Sequence, residues 1–221
     1  MIFFQQSLFN QPILLVLGQG RSGAVMDLWS GIIALSLGLG LSAACGFRVF
    51  IPPLAMGIGA RAGLMDLGDS WSWMSETWVM AVLAVATLLE IGAYYIPWLD
   101  NLLDTITTPS AIVAGIIVTS SSLDGMDPTL QWILAIVAGG GTSGTIQLGT
   151  VATRAVSTAT TGGIANPVVS TVEAGACIFC TILALLLPIL AAIMVVGLMI
   201  LSISSIVKKM DKRRADPNLI T

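Results

Sequence analysis

From Val168 to Ile206 the chain is almost continuously apolar, with Glu173 as its one charged side chain. A single ordinary transmembrane helix needs roughly 20 apolar residues, so this run is too long for one span. Pro188 lies near its middle, and a split there gives two. The rest of the chain has the same character. It is 56% hydrophobic and 10% charged, with a mean hydropathy of +0.94. Soluble domains carry roughly 25% charged residues to cover a wet surface. The sequence therefore predicts an all-α, polytopic membrane helix bundle whose main partner is the lipid bilayer.

Four further segments precede that run. The first spans about Leu28 to Val49, opens at Trp29 and closes at Arg48, just before Pro52 and Pro53. A polar stretch from Arg61 to Thr77 carries Asp66, Asp69, Glu76, Trp71 and Trp73, and reads as a loop with interfacial aromatics. The second segment runs from Trp78 to Trp98, a separation that matches a hydrocarbon layer of roughly 30 Å. Residues 99–109 are more polar, Ser110–Leu123 is a short third segment, and Asp124, Gly125, Asp127 and Pro128 make a turn. The fourth, Gly- and Thr-rich, lies between Trp132 and Arg154. About six spans result.

The ends are polar. Lys208, Lys209, Lys212, Arg213 and Arg214 follow the last span directly, which marks a cytoplasmic C-terminus rather than a nucleic-acid-binding tail. Near the N-terminus, Ile13–Leu17 is a short apolar run without preceding basic residues, unlike a signal peptide. The expected organisation is a lead-in over 1–27, a first membrane repeat over 28–127, a second over 128–207, and a basic tail over 208–221.

The two halves share an order of features. Trp29 to Arg48 corresponds to Trp132 to Arg154. Gly38, Ser42 and Gly46 correspond to Gly141, Thr145 and Gly149, each a ladder of small residues that lets another helix backbone approach. Glu90-Ile-Gly-Ala corresponds to Glu173-Ala-Gly-Ala, and Pro109 to Pro188. Three spans per half would make the second half an inverted copy of the first, the arrangement of many transporters with a site near the midplane.

Ionisable residues inside spans are costly and mark function or structural pairing. Glu90 is expected near the middle of the Trp78–Trp98 span. Thr87, Tyr94, Asn101 and Asp104 extend it into a polar stripe if the helix continues past Pro97. Asn166, Ser170, Glu173, Cys177 and Cys180 form a second stripe, with Asn166 as N-cap and Pro167 in the first turn. Thr160, Thr161, Gly162 and Gly163 precede it as an unwound, hydroxyl-lined loop. One reading is a solute or ion site formed by Glu90, Glu173, Arg48, Arg154 and this loop, with the glutamates as proton or cation carriers. A carboxyl removed from water favours its protonated form, which suits that role. The other reading pairs the glutamates with Arg48 and Arg154 as structural glue.

There is no histidine, and Cys45, Cys177 and Cys180 lie in apolar stretches as small buried hydrophobes. The sequence offers no metal ligand set, no cofactor motif and no nucleophile–base pair, so an intramembrane enzyme ranks last.

Gly40-Leu-Ser-Ala-Ala-Cys-Gly-Phe-Arg48 before Pro52-Pro53, then Ile96-Pro-Trp-Leu-Asp100-Asn-Leu-Leu-Asp104, then Ser157-Thr-Ala-Thr-Thr-Gly-Gly-Ile-Ala-Asn166-Pro167 resemble a family of bacterial multi-pass membrane proteins catalogued as a domain of unknown function. The resemblance covers about residues 30–205. It implies a bacterial plasma or internal membrane and no substrate. The residues favour a small transporter or channel for an ion or small polar solute, in a homo-oligomer. The alternative is a non-transporting scaffold or lipid-organising protein bound to membrane partners.

Overall fold

Asp27 starts the first helix by accepting a hydrogen bond from the Ser30 amide at 3.0 Å. The structure, a computed structural model, describes residues 27–93 and 96–215, and side chains within these except for 97–103, 202–203 and 205–215. The lead-in before Asp27, Tyr94, the side chain of Asn101 and the basic side chains of the tail lie outside the described set. The elements are α1 (Leu28–Phe47), α2 (Ile51–Arg61), α3 (Gly68–Trp71), a 3-10 turn (Ser72–Ser75), α4 (Thr77–Ala93), α5 (Pro97–Ser122), α6 (Pro128–Leu134), a π-helical turn (Ala135–Gly140), α7 (Gly141–Thr161), α8 (Asn166–Leu186) and α9 (Pro188–Ala215). Among the described residues there is no strand.

α1 is the central helix, packed against α5, α7, α8 and α9. Its ladder explains why it fits there. Gly38 lies against Thr119 of α5, whose hydroxyl donates to the Gly38 carbonyl at 3.1 Å. Ser42 donates to the Gly139 carbonyl. Gly46 lies against Ile146 and the Ser143 carbonyl. Small side chains let three backbones converge, and polar contacts replace hydrophobic drive where lipid is the solvent. Leu37, Leu41, Cys45, Val49, Met56 and Val118 fill the remaining core.

The surface is the reverse of a soluble protein's. Large aliphatic side chains face outward, among them Leu88 (71% exposed) and Val137 (70%), while Arg48 and Arg154 are buried. Among the described residues three helices are long and apolar enough to cross a membrane: Leu28–Phe47, Asp104–Ser122 and Asn166–Leu186. A fourth is added if Gly68–Ser75 and Thr77–Ala93, bent by 61°, form one span. Pro188–Leu201 is a shorter apolar helix. Leu187 separates α8 from α9, so the long apolar run breaks at Pro188 as the sequence predicts.

Several local expectations change. The Arg61–Thr77 stretch is not a plain loop: α3 and the 3-10 turn fold back and bury Met65, Leu67 and Met74. The Trp71 ring lies tilted against those of both Trp73 and Trp132, with centroids 6.4 Å apart in each pair, which joins this cap to α6. Residues 99–109 are not a polar break either. α5 continues through Pro109, which lacks the helical N–H donor at that position, and Asp104, Thr107, Ala111, Ala114 and Val118 form one buried seam at spacings of three and four. Asp127 caps α6 by accepting from the Thr129 and Leu130 amides at 3.0 and 3.1 Å. Asp127→Ala is expected to lower stability by about 0.5–2 kcal/mol, read as a lower unfolding midpoint in detergent.

Candidate functional site: a buried charge cluster

Two arginines and three carboxylates meet inside the bundle. Arg48 is the C-cap of α1, where the chain turns extended before α2. One of its Nη atoms donates to the Ser170 carbonyl (2.8 Å) and hydroxyl (2.6 Å) and lies 3.8 Å from Glu173 Oε2. Arg154 comes from α7, seven residues before its end. Its Nε donates to Glu173 Oε2 at 3.1 Å, one Nη bonds the same oxygen, and the other bonds Asp104 Oδ1 of α5. Arg154 is 1% exposed and Glu173 6%. A planar, always-charged guanidinium suits such bridging better than an ammonium.

Glu90 joins from α4 in a different way. Its carboxylate accepts the Val49 amide (2.9 Å) and the Phe50 amide (3.4 Å), the donors just ahead of α2. Val49 and Phe50 follow Arg48, which is extended at the end of α1, so their amides have no acceptor within a helix and need a partner there. Glu90 thus caps α2 from another helix and ties α4 to the bundle.

The second stripe is real and slightly rotated. Asn166, Ser170, Glu173 and Cys177 are buried, and Thr181 continues the face where Cys180 is only half-buried. The Cys177 thiol donates to the Ala44 carbonyl at 3.3 Å. All three cysteines are free thiols.

Other expected site residues move. Glu90 stands in the last turn of α4 rather than at mid-helix, because α4 ends at Ala93 and Ile96 adopts an extended conformation before Pro97. A single stripe through Glu90 and Asp104 therefore does not exist. Asp104 arrives on α5 and is 9% exposed. The Thr-Thr-Gly-Gly element is not an unwound loop. Thr160 and Thr161 belong to the last turn of α7, are exposed, and donate to carbonyls of their own helix. Gly162, at φ +64, ends that helix in the left-handed conformation that favours glycine. Asn166 is the first residue of α8, not its N-cap, and donates to the Thr158 hydroxyl at 3.0 Å.

Sequence reasoning missed Gln147, which is buried and donates to Thr107 at 3.2 Å. Its signal was there: it lies seven residues, two helical turns, before Arg154.

Two clefts adjoin the cluster. One of about 320 Å³ is lined by Asp104, Thr105, Val151 and Ala155, between α5 and α7. The other, about 360 Å³ and mainly apolar, includes Val49, Phe50, Trp73, Leu83 and Pro109. Among the described residues no group of three or more His, Cys, Asp or Glu side chains is placed to hold a metal ion.

No curated protein and no solved structure matches this chain. The family model that does match, over residues 35–208 and so across both arginines, both glutamates and Asp104, is that of the domain of unknown function DUF4126, and the chain belongs to that family.

Proposed function

We propose that this protein is a small membrane transporter or channel for an ion or small polar solute, with the Arg48–Glu90–Asp104–Arg154–Glu173 cluster as its site. The observation that carries the reading is the cleft beside Asp104. It brings the outer surface to a set of buried charges that a purely lipid-packed bundle would avoid. On this reading the chain inserts as six spans in two inverted halves, with the C-terminus cytoplasmic, and works as a homo-oligomer.

The scaffold reading is favoured by one specific observation. Glu90 and Glu173 are engaged in contacts that tie helices together, which a structural role alone would explain. Thermal unfolding of the purified protein against a panel of ions, pH values and small solutes separates the two. A ligand that binds only the folded state raises the midpoint with its concentration. Glu90→Gln deprives one of the Val49 and Phe50 amides of its acceptor, and is expected to destabilise by about 1–3 kcal/mol. The transport reading expects a solute-specific rise in wild type that disappears in Glu90→Gln. A panel without any response, together with the lower midpoint of the variant, favours the scaffold.

A further inference from the structure

We infer that the cleft between α4 and α5 seats one phospholipid, with an acyl chain in the cleft and the headgroup phosphate on Arg61. Lipid binding there does not depend on any solute carried by the charge cluster.

α4 is held at its two ends and open between them. At its last turn Glu90 takes the Val49 and Phe50 amides. At its start the Thr77 hydroxyl accepts from Arg61 of α2 at 2.7 Å. Between these anchors α4 packs on α2 and hardly on α5. The apolar cleft of about 360 Å³ lies in that gap, with Val49 and Pro53 at one end, Met74 at the other, and Leu83 facing the Pro109–Ile117 stretch of α5. That stretch of helix is about 12 Å long.

The lining suits hydrocarbon. No charged side chain is part of it, and its one hydroxyl, that of Ser110, donates to the Ile106 carbonyl at 2.8 Å. A held water needs roughly two to four polar partners, which this lining does not offer. On the outside, Val82 and Val85 of α4 and Val113 of α5 are exposed, so the cleft opens to a surface bathed by lipid tails. Apolar side chains that face a gap lose dispersion partners, and an acyl chain restores them.

A cation sets the headgroup end. The Met74 carbonyl lies against Gly57 of α2, and Arg61 stands one turn further along that helix. Arg61 is exposed, and its contacts among the described residues are neutral: the Thr77 hydroxyl and the Met80 sulfur at 3.7 Å. Trp73 and Trp78, both exposed, flank this end as interfacial tryptophans do. A guanidinium there meets a phosphodiester with the forked geometry that it favours. Glu76, next to Thr77, adds an exposed carboxylate that attracts an ammonium, so the fitting headgroup is zwitterionic, as in phosphatidylethanolamine.

Native mass spectrometry of the full chain in a delipidating detergent tests this, titrating dioleoyl phosphatidylethanolamine, dioleoyl phosphatidylglycerol and dioleoylglycerol. The expected result is one phosphatidylethanolamine retained per chain, held about tenfold more weakly by Arg61→Gln and lost in Ser110→Phe, which fills the cleft. Ile193→Phe, on the exposed face of α9, should bind as wild type does. Dioleoylglycerol retained equally well overturns the inference, because it lacks the phosphate. Tighter retention of phosphatidylglycerol overturns it too. Wild type alone gives a second test that needs no variant to fold. A phosphatidylethanolamine with a photoreactive diazirine in its acyl chain should label the segments around Leu83 and Val113 above all others. Label spread evenly over α7, α8 and α9 overturns the site. A solute response in the unfolding panel without lipid retention would remove the lipid and leave the transport reading standing.

Discussion

Arg154→Met is expected to cost about 3–5 kcal/mol and to leave little folded protein. The guanidinium serves two carboxylates at once, Asp104 from α5 and Glu173 from α8. Methionine fills much of its volume but strands both acids in the interior. Arg154→Lys should also be costly, because one ammonium on a flexible stem cannot reproduce a planar bridge to two helices. The loss can be assigned to charge rather than to shape. Adding Asp104→Asn and Glu173→Gln to Arg154→Met should recover a large part of it, since a buried pair replaced as a whole is often near neutral. Monodispersity on gel filtration and the unfolding midpoint in detergent read both effects. A single variant as stable as wild type would show that the three side chains are not packed as described.

Gly46→Ala is expected to destabilise by roughly 1–3 kcal/mol, whereas Gly149→Ala should be neutral or stabilising by up to about 1 kcal/mol. A Cβ at Gly46 would come within 2.6 Å of Ile146 Cβ and 2.7 Å of the Ser143 carbonyl, and a backbone oxygen cannot step aside cheaply. A Cβ at Gly149 meets nothing within 4 Å. The same substitution thus carries opposite signs in two ladders that look alike in sequence, and paired unfolding midpoints read the difference directly. Equal losses at both sites would mean that the α7 ladder is covered by something other than lipid.

That contrast shows how far the sequence could be read. The first ladder packs as expected. The second, Gly141, Thr145 and Gly149, is exposed, and α7 buries Ser143, Gln147, Thr150, Arg154 and Ser157 instead. At about 100° per residue, Thr145 lies about 180° from Arg154. One helix face cannot hold both, and the buried charge wins because leaving it in lipid costs more than exposing threonine and glycine. Gly139, in the π-helical turn before α7, takes up the close approach to α1 and α5. The Asn166–Ser170–Glu173–Cys177 stripe was legible for the matching reason, since its spacing and its polarity point to the same face.

Composition and periodicity alone determined that this chain is helical and apolar enough to cross a membrane, that α8 and α9 part at Pro188, and that Arg48, Glu90, Arg154 and Glu173 are its chemically loaded residues. Those properties are local: each follows from hydropathy, backbone chemistry or the cost of an isolated charge. Only the tertiary structure decided the partners. Glu90 went to two backbone amides left without helical acceptors where α1 ends at the extended Arg48, while Asp104 and Glu173 came to share Arg154. Pairing depends on where the helices end and how they are rotated, and those are set by close backbone contacts at Gly38, Ser42 and Gly46 between segments far apart in the chain.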